Sequence, residues 1–269
     1  MVITLSPSFS GLLGVGSWLY HYQNLQNHQM RVRCFCYSLH VGIDHQDRSA
    51  QTQFVLFSAS DTQNGIKIMS NPIENTRTFY EENAESFIAR TVHVDMSHHY
   101  KHFLKSIPAG GRVLDAGCGS GRDTLAFKKL GYHLDAFDAS SEMVKSARDL
   151  TGVDVQQNTF QNFTSAAIYD GIWAYASLLH VPYVELPLVL SKLAAALKNN
   201  APLFASFKLG EGEVTREDGR RFSMMNEERF RALLAEVPEL KLENIRIVDS
   251  TKKITPAEKW LCVLLSKRN

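Results

Sequence analysis

From residue 76 onward the apolar and polar positions follow a repeating scheme, in which a stretch with one apolar helical face gives way to a short apolar run and then to another helical stretch. Thr76 opens a helix over about 77–89. Asp95 caps the next one, which places Tyr100, Phe103, Leu104 and Ile107 on a single face until Pro108 stops it. Residues 112–116, Arg-Val-Leu-Asp-Ala, predict a buried strand, followed by a helix at 121–130, a strand at 132–137 and a helix at 140–150. Strands are expected at 153–157 and 169–175, a helix at 184–198, a strand at 202–209, a helix at 226–236 and closing strands at 240–248 and 260–266. Strands alternating with helices of this length predict an α/β fold with a mostly parallel sheet covered on both faces. Its ligand crevice belongs at the carboxyl ends of the strands.

Residues 1–68 lack this periodicity. They are rich in Ser, Gln, His and Gly, and carry four basic and three acidic residues. They read as an N-terminal extension, disordered or lying ahead of a later start at Met69, with a small structured arm as the alternative. The domain proper is expected over 69–269.

The stretch Val-Leu-Asp-Ala-Gly-Cys-Gly-Ser-Gly-Arg at 113–122 breaks an apolar strand into three glycines on alternate positions. Gly117, Gly119 and Gly121 give G-x-G-x-G, whereas a loop that cradles a dinucleotide pyrophosphate has G-x-G-x-x-G. Glycines here let a ligand approach the backbone and let the chain take positive φ. Asp115 puts a carboxylate beside the loop, which repels a phosphate and attracts a cationic amino group. Asp138 closes the following strand, where an acid accepts hydrogen bonds from two ribose hydroxyls. Together these residues imply a nucleoside with a cationic tail and no phosphate.

Composition narrows the classes. With 29 Lys and Arg against 28 Asp and Glu, the chain has no net basic field to hold a nucleic-acid backbone. Four scattered cysteines, Cys34, Cys36, Cys118 and Cys262, suit neither a disulfide framework nor a cysteine-rich zinc site, and fit a reduced, cytoplasmic setting. No apolar run approaches the roughly 20 residues that span a bilayer, so neither a membrane anchor nor an export signal is expected. Oligomeric state is not legible.

Leu-Asp-Ala-Gly-Cys-Gly-Ser-Gly-Arg-Asp at 114–123, with Asp-Ala-Phe-Asp-Ala-Ser-Ser-Glu-Met-Val at 135–144, resembles the first two motifs of class I S-adenosylmethionine-dependent methyltransferases. Residues 79–91, 95–97, 170–182 and 204–222 are similar to a bacterial group of small methyltransferases akin to the tellurite-resistance and thiopurine types. The resemblance implies a Rossmann-like three-layer fold with a seven-stranded sheet whose last strand is antiparallel. It implies S-adenosyl-L-methionine as cofactor and a small-molecule methyl acceptor. On the same ground Asp115 and the loop Gly117, Gly119, Ser120 and Gly121 wrap the methionine part, Asp138 holds the ribose, Met143 packs on the adenine, and Ala139 belongs to the cofactor site. Phe160 and Gln161 border the adenine, Ala176 lines the site, and Tyr80 and Arg122 meet the cofactor carboxylate. Two departures stand out: Asn199-Asn200-Ala201-Pro202 replaces a Pro-Gly-Gly turn, and Tyr175 replaces a cysteine.

A soft acceptor needs no base, whereas an oxygen or a protonated nitrogen does, which makes His180 the candidate. The alternative for His180 is a ring held by backbone groups that only shapes the pocket. Trp173 and Tyr175 read as core. His93, Asp95, His98, His99 and His102 resemble a metal cluster, but a helix with exposed histidines explains them, and no metal is expected. The charged run 211–221 is either a solvated loop or a lid whose Arg220 and Arg221 meet an anionic substrate. Rival functions are a nucleotide-dependent oxidoreductase, an RNA or protein methyltransferase, and a non-catalytic S-adenosylmethionine-binding module.

Overall fold

A computed structural model of the protein describes Ser17–Gln23, Gln29–Phe35, residues 72–250 and residues 258–269. The chain divides into two compact units, Met1–Met69 and Ser70–Asn269. In the first, β1 (Ser17–Gln23) and β2 (Gln29–Phe35) pair antiparallel, with Trp18 opposite Cys34 and Tyr20 opposite Val32. The sequence reading placed no strand there. Trp18, Tyr20 and Tyr22 do recur with period two, and aromatic residues favour a pleated backbone, but the polar composition around them masked that short alternation.

The second unit opens with three helices, α1 (Pro72–Glu82), α2 (Ala84–Thr91) and α3 (Ser97–Leu104). One helix was expected over 77–89. The chain instead breaks at Asn83, whose side-chain amide donates back to the Phe79 carbonyl at 2.9 Å. Next come β3 (Arg112–Ala116), α4 (Arg122–Lys129), β4 (His133–Asp138), α5 (Ser141–Thr151), β5 (Gln156–Gln157) and β6 (Gly171–Ala174). A 3-10 turn at Leu178–His180 leads to α6 (Leu186–Ala196) and β7 (Pro202–Lys208). A hairpin of β8 (Glu213–Thr215) and β9 (Arg221–Ser223), helix α7 (Glu227–Ala235) and strands β10 (Leu240–Asp249) and β11 (Lys259–Lys267) complete it.

The large sheet has seven strands in the order β10-β11-β7-β6-β3-β4-β5. The pairs among β3 to β7 are parallel, and β11 runs antiparallel to both its neighbours. The central strands are near-continuous apolar runs because both faces are covered. On one face Phe103, Phe127, Trp173 and Phe204 pack together, and on the other Leu114, Ile172, Leu190 and Leu203 do. Gly171 starts β6 because a Cβ there would lie 2.4 Å from Ile107 Cδ1, closer than packed carbons allow. α5 is capped by Ser140, which accepts from the Met143 amide, and ends on Gly152 in the left-handed region. The Ser140 cap fixes the turn after β4, where Asp138 sits.

Candidate active site

Strands β3, β4, β6 and β7 run parallel and all end at one edge of the sheet, the edge where such sheets bind ligands. After β3 the chain turns through Gly117, Gly119 and Gly121 at φ 75, 54 and 81°, values that side chains with a Cβ resist. The three glycines differ in what surrounds them. A Cβ on Gly117 would lie 2.5 Å from Ser177 Cβ, and one on Gly121 would lie 2.9 Å from Ala147 Cα, so both are required by packing. A Cβ on Gly119 would meet nothing within 4 Å, so its bare face opens on the crevice. Ser120 is buried beneath.

Asp138 ties this loop to β4. One carboxylate oxygen accepts from the Gly119 amide at 2.8 Å and the other from the Ser140 amide at 3.0 Å. Burial raises its pKa, and the amide bonds oppose that rise. Each oxygen keeps a further lone pair for a ligand hydroxyl. Ala139 follows it, and its carbonyl accepts from the Gln157 side chain at 3.3 Å.

Asp115 departs from expectation. Its carboxyl lies under the loop at 1% exposure and accepts from Thr124 Oγ1 at 2.6 Å. Burial, with the Asp123 charge adding to it, pushes its pKa up to about 8. Burial and the neighbouring Asp123 thus both work against the negative charge that the electrostatic argument from sequence places beside the glycines.

Arg122 is likewise committed elsewhere. Its guanidinium bonds both oxygens of Asp123, at 2.7 and 2.8 Å, and stands 5.6 Å from the Tyr175 ring. Asp123 also accepts from Tyr100 Oη at 2.6 Å and Trp173 Nε1 at 2.9 Å. Burial alone would raise the Asp123 pKa, but the Arg122 charge and the bonds from Arg122, Tyr100 and Trp173 outweigh it and hold it low. Sequence reasoning did not single out Asp123, an acid in the first turn of α4, and so missed this network.

Tyr80 and His180 meet. Tyr80 Oη lies 2.9 Å from His180 Nε2, and His180 Nδ1 lies 2.7 Å from the Arg221 carbonyl oxygen. A carbonyl only accepts, so Nδ1 carries the proton and Nε2 receives that of Tyr80. Burial drives the His180 pKa down to about 4, leaving a neutral ring with both nitrogens engaged. The Tyr80 hydroxyl, expected on the cofactor carboxylate, faces His180.

Beyond β6, Ala176 holds φ 52°, a left-handed value for a residue with a Cβ, and its amide donates to Ser206 Oγ at 2.8 Å. Ser177 Oγ donates to the Ala116 carbonyl at 2.7 Å, so the ends of β3 and β6 are tied. Phe160 stands 5.3 Å edge-on to Phe137, and one of its ring carbons lies 3.6 Å from where a Gly117 Cβ would be. Gln161 donates to Glu185 at 2.8 Å. Met143 is 1% exposed, which leaves almost none of it for a ligand to touch.

The charged run 211–221 folds largely into the β8–β9 hairpin, and the Arg221 amide donates to Thr76 Oγ1 on α1 at 3.0 Å. Arg221 pairs with Glu213 and Arg220 with Asp218, both at 2.6 Å. The sequence reading named Arg220 and Arg221 but not Lys208, whose ammonium is buried at the end of β7 and paired with Glu258. Of the histidine cluster, His98 and His102 are exposed with ring centroids 5.6 Å apart, whereas His99 is buried against Tyr175 and Phe204. Among the described residues no group of three or more His, Cys, Asp or Glu is placed to hold a metal ion. No helix among them is long and apolar enough to cross a membrane.

Residues 113–200 match the family model of a methyltransferase domain. A ubiquinone biosynthesis O-methyltransferase of Xanthomonas axonopodis pv. citri is 32% identical over 106 residues, which is 37% of this chain and 44% of that protein. An uncharacterized methyltransferase of Staphylococcus carnosus is 27% identical over 126 residues, covering 46% of this chain and 61% of that protein. The chain thus spans only part of the curated relatives it matches. In fold it is similar to the 1,6-didemethyltoxoflavin-N1-methyltransferase of Burkholderia thailandensis, solved with 1,6-didemethyltoxoflavin and S-adenosylhomocysteine. That match has a TM-score of 0.61 and 17% identity over 79% of this chain and 95% of that one. A Methanosarcina mazei methyltransferase gives a TM-score of 0.56 at 15% identity, over 65% of this chain and 99% of that one. Residues 113–200 thus match a methyltransferase domain, and the second unit has the Rossmann-like fold of class I S-adenosylmethionine-dependent methyltransferases.

Proposed function

We propose that the protein transfers a methyl group from S-adenosyl-L-methionine to a small-molecule acceptor. The observation that carries this reading is the Gly119–Asp138 contact, which joins an open glycine face to a carboxylate at the strand end. The bare Gly119 face fits a ligand lying against the backbone, and the free lone pairs of Asp138 fit a pair of ribose hydroxyls. The acceptor class is supported by the small-molecule acceptor in the Burkholderia structure and by the name of the Xanthomonas relative.

Bound there, the sulfonium supplies an already activated methyl group, so the protein's share is positioning and the exclusion of water. Gly119 admits the donor to the backbone, Asp138 orients its ribose, and Phe160, Gln161 and Ala139 border the base. Asp115 and Arg122 act from beneath, by fixing α4 and the loop. His180 holds the Tyr80 hydroxyl in place and is a positioning residue. To act as a base its ring would have to release Tyr80 and take up a proton at a pKa near 4. The unpaired thiols Cys118 and Cys262 support a cytoplasmic setting.

Release of S-adenosylhomocysteine by the purified protein, screened over thiols, phenols and amines, tests the activity. Calorimetry with S-adenosylmethionine and S-adenosylhomocysteine tests the site, and failure to bind either overturns the reading.

A further inference from the structure

Three cations surround one buried ring at the far end of the crevice. Lys208 Nζ lies 4.5 Å from the Phe222 ring centroid, Arg216 Cζ lies 4.9 Å from it and Arg220 Cζ lies 5.5 Å from it. The His180 ring stands 4.9 Å from the same phenyl. Two carboxylates answer these three charges: Glu258 pairs with both Lys208 and Arg216, and Asp218 pairs with Arg220. One positive charge is therefore in excess around Phe222.

Lys208 is the least expected of the three. It closes a strand buried at every position, and its own exposure is 7%. Burying an ammonium is costly unless a partner compensates it, and burial here pulls its pKa down, against the pull of Glu258. Strand β7 neighbours β6 in the part of the sheet whose strand ends form the crevice.

The cluster is continuous with the donor end. Arg220 Cζ lies 4.0 Å from the Phe79 ring and 6.0 Å from that of Tyr80. The Tyr80 phenol, whose pKa burial raises, is close enough to feel both Arg220 and Asp138, which shift it in opposite directions. Tyr80 is thus within electrostatic reach of a carboxylate, Asp138, and of the cations about Phe222. A sulfonium donor and an anionic acceptor would each meet a charge of opposite sign.

We propose that the acceptor carries an anionic group, a carboxylate or an oxyanion, and that Lys208, Arg216 and Arg220 bind it in place of the Glu258 carboxylate. The inference rests on the methyltransferase reading for the word acceptor, but the anion site is testable without the donor.

The probes are 4-mercaptobenzoate and its uncharged twin, 4-mercaptobenzamide, titrated into the full chain with the backbone amides of Phe222 and Trp260 followed by NMR. Binding is measured with and without S-adenosylhomocysteine, so that loss of cofactor binding and loss of anion binding are separate results. The acid is expected to bind about tenfold or more tightly than the amide, as one charge-assisted contact gives. Glu258→Gln, which removes the competing carboxylate, is expected to tighten the acid and leave the amide unchanged. Lys208→Met and Arg216→Gln are expected to erase the preference. Equal affinity for acid and amide, no binding of either at millimolar concentration, or weaker acid binding in Glu258→Gln overturns the proposal. Because Glu258→Gln acts in the opposite direction from the cation variants, poor folding of Lys208→Met leaves the test intact.

Discussion

Tyr80 and His180, a hundred residues apart, share one proton-bearing contact of 2.9 Å, and the Arg221 carbonyl on the opposite ring nitrogen decides which partner gives it. With its pKa near 4, against an ordinary 6.5, the ring stays uncharged throughout the neutral range. Imidazole 15N spectra are expected to show the Nδ1-protonated tautomer unchanged from pH 8 to about 5. A titration centred on 6.5 would mean that the ring is free. Folding feels the same shift: between pH 6.5 and 4 the unfolded chain binds a proton that the folded ring refuses, so this histidine's contribution to stability falls as pH falls.

The loop glycines separate stability from binding. Gly117→Ala forces both a left-handed φ and a 2.5 Å approach to Ser177, and is expected to cost about 2 to 4 kcal/mol of stability in urea unfolding. Gly119→Ala has only the backbone strain, about 1 to 2 kcal/mol. Its new methyl fills the face that the donor needs, so calorimetry is expected to show cofactor binding lost from a folded protein.

Asp138→Ala removes the acceptor of two backbone amides and the proposed ribose contact. Cofactor affinity is expected to fall by about 1 to 3 kcal/mol with circular dichroism unchanged. Full affinity in the folded variant would assign the ribose to another residue.

The Asp115 carboxyl works in the opposite sense to most acids. With its folded pKa near 8 and an ordinary value of 3.8, the folded state holds a proton that the unfolded chain has released. Its contribution to stability therefore declines as pH rises from about 4 to 8. Asp115→Asn keeps the shape without the titration, so its stability relative to the parent is expected to rise between pH 5 and 8. A constant difference would place the proton elsewhere.

Asp123→Asn strands the Arg122 guanidinium in the interior. Removing one partner of a buried pair is expected to cost about 3 to 5 kcal/mol, read as a lower urea midpoint.

Much of the framework was legible because strands such as Arg112–Ala116 and Pro202–Lys208 are buried on both faces and so read as mainly apolar runs. Gly117 and Asp138 were legible for a related reason: turn chemistry and a strand-end acid leave local marks. What escaped depended on distant partners. Asp123 is buried by Tyr100 and Trp173, 23 and 50 residues away, and nothing in its neighbours foretells that. The charge state of Asp115 was not legible either, since it depends on Asp123 and on burial under the loop. The β8–β9 hairpin carries only Val214 and Phe222 as large apolar positions, too few for an alternation to show.

Ser177 meets Gly117 so closely that no methyl fits between them, and its hydroxyl is bonded to Ala116. The ends of β3 and β6 are in effect one floor, and the methyl donor and its acceptor would rest on it at a fixed separation. Helix α1 is joined to its neighbours through Tyr80 with His180, Thr76 with Arg221, Glu81 with Ser141 and Phe79 with Arg220. On the proposed methyl-transfer reading, the donor would be seated on backbone that cannot shift without displacing two strands at once.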